Sequence, residues 1–226
     1  MIPALRRGRG SRRRRGERGA VALEAALVTP ILIALVLGIM EFSFIMRDYV
    51  SVSSAVRVGA RIASANPGAG QCSTHCTPTT TPYLAQMAAD AIQRAGTAMP
   101  KDSIDYIFVY QANRAGYPAP GGTASASVPA NTSTTMPSTI TGCAGMTNCV
   151  AYRWLDSSDR FAYQSGTWDT SSVNACPSGA YDLGVYMHVT HRNLTGFYGR
   201  TLGMSDRTVM KFEPLTTATC LPASHL

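Results

Sequence analysis

Hydrophobic positions run almost unbroken from Ala20 to Met46, and only Glu24 and Glu41 put charge into that stretch. Residues 20–40 as a helix at ~1.5 Å per residue are about 31 Å long. That length matches a hydrocarbon core of ~30 Å and predicts a transmembrane helix over residues 20–46. Past Met46 the pattern changes. Tyr49, Val52, Val56, Gly59, Ala60 and Ala63 recur at helical spacing, with Ser54, Arg57, Arg61 and Ser64 opposite. This is an amphipathic extension over 47–65 that packs its stripe on a domain and ends at Asn66-Pro67-Gly68.

Within the span, Ala22, Ala26, Pro30, Ala34 and Gly38 recur every four residues. Small residues at that spacing permit close helix–helix approach in lipid, and Pro30 removes one helical hydrogen bond. Glu41, near the outer boundary, is read as interfacial, within reach of water, with an inter-subunit salt bridge as the alternative.

From residue 66 onward the chain reads as an α+β domain. Thr81-Pro82 followed by Leu84, Met87, Ala88, Ala91 and Ala95 predicts an amphipathic helix with proline at its first position. Strands are expected at 104–110, 149–155, 160–163, 184–191 and 207–213, the short one at 160–163 being the weakest. Residues 113–148, rich in Gly, Pro, Ser, Thr and Ala, read as a long irregular connection. Three or four strands with a helix on one face give a small antiparallel sheet against the long N-terminal helix, a pilin-like plan.

Charge sharpens the membrane reading. The net charge of the 226-residue chain is +7, and residues 1–19, with eight Arg and one Glu, carry all of it. Because this basic leader abuts an apolar span, the positive-inside rule explains it better than nucleic-acid binding: residues 1–19 stay cytoplasmic and residues 66–226 are exported. A cleaved secretory signal fits poorly, because Ala63-Ser64-Ala65 lies far beyond the span. The arginines at 12–15 do not continue as a twin-arginine signal.

The cysteines agree with export. Cys72, Cys76, Cys143, Cys149, Cys176 and Cys220 all follow the span, and an even number on that side favours disulfides. Six thiols allow 15 connectivities; the close pairs Cys72/Cys76 and Cys143/Cys149 suggest two small loops and leave Cys176 with Cys220. Zinc at Cys72, His75 and Cys76 competes, but no second Cys/His pair stands at finger spacing.

Catalytic signals are weak. His188 and His191 fall three apart on a strand, hence on opposite faces. Asp156 and Asp159 read as turn residues, and Tyr152, Trp154, Phe161 and Trp168 read as core. Asn131 and Asn193 begin glycosylation-type triplets. There is no nucleophile elbow, phosphate loop or zinc-protease motif, so neither an enzyme nor a cofactor is expected.

Glu24 needs a partner, since a carboxylate inside an apolar span costs up to ~2.5–3.5 kcal/mol at the helix centre. A cut after Gly19 would supply one: the new ammonium group of Ala20 lies one helical turn from Glu24, on the same or a neighbouring chain. Arg18, six residues from Glu24, is on a different face. A basic leader ending in Gly, an apolar helix and Glu five positions past the break resemble a class III signal peptide, the substrate of prepilin peptidases. More narrowly, Gly19 to Glu24, Pro30, Gly38-Ile39-Met40-Glu41-Phe42 and Val56-Arg57-Val58-Gly59-Ala60-Arg61 resemble TadE-like pseudopilins of tight-adherence (Flp) pilus systems. Ala25 stands where such proteins often carry Phe, and Thr29 precedes Pro30 where an aliphatic residue is usual.

The resemblance implies a minor pilin-like subunit, cleaved by a prepilin peptidase between Gly19 and Ala20. Its partners would be other pilins, inner-membrane assembly proteins and the membrane, with no nucleic acid. It would sit in the cytoplasmic membrane as a single-pass protein, N-terminus inside, or in a surface pilus. The alternative is an uncleaved single-pass anchor carrying an extracytoplasmic binding domain.

Overall fold

The computed structural model describes residues 13–73, 81–95, 99–120, 128, 131–196 and 199–216, with side chains from residue 19. Two compact units divide the chain, residues 1–44 and residues 45–226. The first is the apolar length of helix α1 (Arg13–Ser64), which contains Pro30. Its aliphatic side chains are exposed all round, Leu23 at 73% and Leu27 at 69%. A helix apolar on every side needs lipid or other helices around it. By length and composition it is suited to cross a membrane.

In the second unit, helix α2 (Tyr83–Ala95) and the C-terminal part of α1 lie on one face of an antiparallel sheet. The sheet order is β5 (Arg160–Thr167), β4 (Cys149–Leu155), β1 (Ile104–Ala112), β6 (Asp182–Arg192) and β7 (Thr201–Lys211). A small ribbon pairs β2 (Ala119–Pro120) with β3 (Met146–Thr147). The sheet thus has five strands, one at each expected position, where the plan allowed three or four. β5 and β7 are each longer than expected, because their ends carry Gly, Ser and Thr, which interrupt the apolar alternation without interrupting the ladder.

The core between helices and sheet holds Val52, Val56, Ala60 and Ala63 of α1, Leu84, Ala88 and Ile92 of α2, and Ile107, Val109, Val150, Tyr152, Val185 and Met187 of the sheet. Two details of the expected stripe change. Tyr49 is exposed and Ser64 is buried, since Ser64 donates to the Arg61 carbonyl at 3.1 Å and lies beside Met210. Tyr152, Phe161 and Trp168 are buried as core, and Trp154 is partly buried with the Lys101 ammonium 4.6 Å from its ring. Helix α2 begins at Tyr83, so Pro82 precedes its first residue and instead bridges to Gln71.

The far face of the sheet explains why β1 is apolar on both sides. Tyr106, Phe108 and Tyr110 point away from the helices and are covered together with Cys143, Cys149 and Tyr186. Met136, Ile140 and Met146 of the irregular connection pack on them. That connection is therefore a second cover for the sheet. Asn113 fixes its start, accepting from the Ala115 and Tyr117 amides at 2.9 and 3.0 Å and donating to the Ser133 carbonyl at 2.8 Å. The Cys143–Cys149 disulfide, Cα atoms 5.3 Å apart, closes its end as expected. Cys72 and Cys176 are also disulfide-bonded, which removes Cys72 from any zinc set. Cys76, Cys220 and His75 lie outside the described residues.

Burial raises the Tyr106 pKa to about 12, with the Tyr186 and Asp105 charges adding to the shift. Burial also pushes Tyr110 and Tyr152 upward. A raised phenol pKa means that the fold favours the neutral form. The corresponding stability is complete below the unfolded value of ~10 and is lost as pH rises towards 12. At about pH 11, phenolate absorbance is therefore expected to jump when denaturant is added, and near-UV dichroism to fade between pH 10 and 12.

Candidate functional site

The residues singled out for processing and packing lie on α1. Gly19, Ala20 and Glu24 fall within its first turns, all exposed, and Ala20 and Glu24 stand one turn apart. A Cβ built on Gly19 or on Gly38 meets nothing within 4 Å, so the backbone at both is open to an approaching molecule. Ala22, Ala26, Pro30, Ala34 and Gly38 form a shallow spiral of small residues on the helix, since a spacing of four residues drifts slightly on a 3.6-residue turn. Thr29 Oγ1 donates to the Ala25 carbonyl at 2.6 Å, and Ser43 Oγ to the Ile39 carbonyl at 2.7 Å. These bonds satisfy both hydroxyls within the helix, as an apolar surrounding requires.

Glu41 departs from expectation. It is 1% exposed and has an interaction partner, so it is a buried carboxylate and not an interfacial one. In the second unit, Ile45 and Asp48 precede Val52 by seven and four residues and so extend the buried stripe towards the N-terminus.

Asp48 is the polar centre of that stripe. Its Oδ2 lies 2.7 Å from Nδ1 of His191 on β6, and its Oδ1 lies 3.1 Å from the half-exposed Arg47 guanidinium. Asp48 and His191 are both buried. Among the described residues His191 Nε2 has no hydrogen-bond partner, so Asp48 is the side chain that satisfies the buried ring. The pair ties α1 to β6. Asp48→Ala is expected to destabilise the protein by ~1–3 kcal/mol, because the His191 donor is left buried and unpaired. Urea midpoints for Asp48→Ala, His191→Phe and the double variant check this, with the double variant less destabilised than the sum of the two.

His188 faces the other side of the sheet, as its spacing predicted. Its Nδ1 is 2.8 Å from Asp105 Oδ2, Thr190 Oγ1 donates to the same oxygen at 2.7 Å, and the ring stacks on Tyr106 at 5.1 Å. Asp105 sits where the β1–β6 register shifts between Ile104 and Tyr106. Asp156 accepts from the Trp154 indole at 2.7 Å, and Asp159 adopts a left-handed turn conformation. His188, Asp105 and Asp156 thus each have a side-chain partner, and Asp159 accepts at its backbone carbonyl from Gln93 at 2.8 Å. Among the described residues no group of three His, Cys, Asp or Glu could hold a metal.

A groove of about 500 Å³ lies between the outer face of α1 and β7, lined by Tyr49, Ser53, Ser54, Arg57, Arg61 and Met210 among others. Arg57 and Arg61 were expected on the solvent side of the amphipathic extension, but the wall that Met210 of β7 supplies depends on tertiary packing and leaves no local trace.

No curated protein matches the chain, and no solved structure matches it. Residues 19–61, from the glycine before the apolar run to the second groove arginine, match the family model described as TadE-like protein.

Proposed function

We propose that this chain is a minor, TadE-like pilin subunit of a tight-adherence (Flp) pilus or of its assembly machinery, processed by a prepilin peptidase after Gly19. The observation that carries the reading is the coincidence of the TadE-like match with Gly19 and Glu24 at the head of a helix that is apolar on every side. Such a helix buries its surface by packing with helices of other pilins in the cytoplasmic membrane, with the basic leader inside and the disulfide-bearing domain outside. The open backbone at Gly19 suits close approach to a peptidase.

An uncleaved anchor is the second reading, favoured by the uninterrupted course of α1 through Gly19. The Gly19→Glu variant separates the two in the native host. Under the pilin reading the variant keeps its arginine leader and disappears from sheared pili and from pilin complexes. Identical mass and distribution of variant and wild type, apart from the substitution itself, would favour the anchor.

A further inference from the structure

We propose that the groove between α1 and the free edge of β7 docks an acidic, extended segment of another protein, which adds to the sheet beside β7. The sheet ends at β7, which pairs with β6 along eleven positions and, among the described residues, with no strand on its other side. Exposed edges are ordinarily short or guarded by charge, because a long open edge is a template for another strand. Of the three charges on β7, Asp206, Arg207 and Lys211, the central one is turned away from the edge. Arg207 donates to the Gly116 carbonyl at 3.0 Å, and its guanidinium lies 3.5 Å from the Tyr117 ring, both on the far face of the sheet.

On the helix side of the groove, Arg57 and Arg61 are exposed, and neither guanidinium has a hydrogen-bond or ion-pair partner among the described residues. Apolar surface lies beside them, with Val50 65% exposed. Two cations without an acid between them call for carboxylates, and the spacing specifies which. Residues four apart on a helix rise by ~6 Å. Alternate side chains on a strand repeat at ~6.7 Å. Carboxylates at positions i and i+2 of an extended segment therefore match the two arginines while its backbone pairs with β7.

This pattern argues for a different protein over a second copy, because no two acidic residues of this chain are separated by a single residue. It also argues against a lipid headgroup, a step that rests on the membrane reading above. Arg57 and Arg61 lie eleven and fifteen residues past Met46, about 16 and 22 Å along a helix. The polar layer on each side of a bilayer is only ~5–8 Å deep.

The test places a photo-crosslinking residue at Ser54 of the full-length protein in its native host and identifies the adduct by peptide mass spectrometry. The expected adduct is a segment of another envelope protein with carboxylates at alternate positions. Its yield should fall roughly tenfold or more in the Arg57→Glu/Arg61→Glu variant and return when the partner's two carboxylates are changed to Arg. Unchanged thermal unfolding of the variant shows that the domain is intact; if it is not, Arg57→Gln/Arg61→Gln replaces it. An adduct to lipid, to a second copy or to a segment without those carboxylates would overturn the proposal, as would no adduct or a yield indifferent to charge reversal. The mature N-terminus is read in the same strain, so a failure of processing is seen separately from a failure of docking.

Discussion

Glu24→Gln is expected to leave cleavage after Gly19 largely intact and to abolish co-purification with other pilins and surface piliation. After the cut, the ammonium group of Ala20 must be neutralised in a low-dielectric setting, and the carboxylate one turn along the helix, on the same or a neighbouring subunit, is the group placed to do it. Pairing outweighs desolvation only where geometry is good, and removing one partner strands the other at a cost of ~3–5 kcal/mol. Since ~1.4 kcal/mol is tenfold, association falls by more than a hundredfold. Glutamine keeps the shape and loses the charge, which separates this effect from packing. Wild-type piliation and co-purification in the Glu24→Gln strain would rule out charge pairing even if Gly19 proved essential for cleavage.

The second large effect is expected at Gly59, where α1 meets α2. A Cβ there would lie 2.9 Å from Ile92 Cγ1, 3.0 Å from its Cδ1 and 3.2 Å from the Ala88 carbonyl oxygen. Ile92 is fully buried and the Ala88 oxygen is backbone, so a larger side chain must displace Ile92 within the core or push the helices apart. Gly59→Val adds three carbons at this contact, and overpacking of that kind costs ~1–3 kcal/mol or somewhat more. In a domain of this size each kcal/mol lowers Tm by ~2–4 °C, so a fall of ~5–10 °C is expected for the oxidised protein in detergent. A Tm within ~1 °C of wild type would mean that α1 and α2 do not approach this closely. Helix propensity acts in the opposite direction, since valine is a better helix former than glycine, and the loss should therefore be read as packing.

The contrast between what the chain discloses and what it hides follows from range. The apolar run, the amphipathic stripe through Val52, Val56, Ala60 and Ala63, α2 and the five strand positions are set by local periodicity, and all are found in the structure. The close cysteine pair at 143 and 149 was legible for the same reason. Burial of Asp48 was legible in principle, because it continues the apolar stripe, but periodicity assigns a face without naming what fills it. Asp48 meets a histidine 143 residues away, and no local pattern announces that distance. The covering role of residues 131–147 was hidden too, since a segment without period gives no sign of which surface it lies on. Glu24 is exposed in the single chain, and the role proposed for it, between subunits or after a cut, rests on the chemistry of a lone carboxylate in an apolar span.

The most direct measurement is the intact mass and amino-terminal sequence of the protein isolated from the membranes of its native host. Processing predicts a single species beginning at Ala20, lighter than the full chain by the mass of residues 1–19. A protein that still carries the arginine leader would contradict the pilin reading and leave a single-pass anchor with an exported domain.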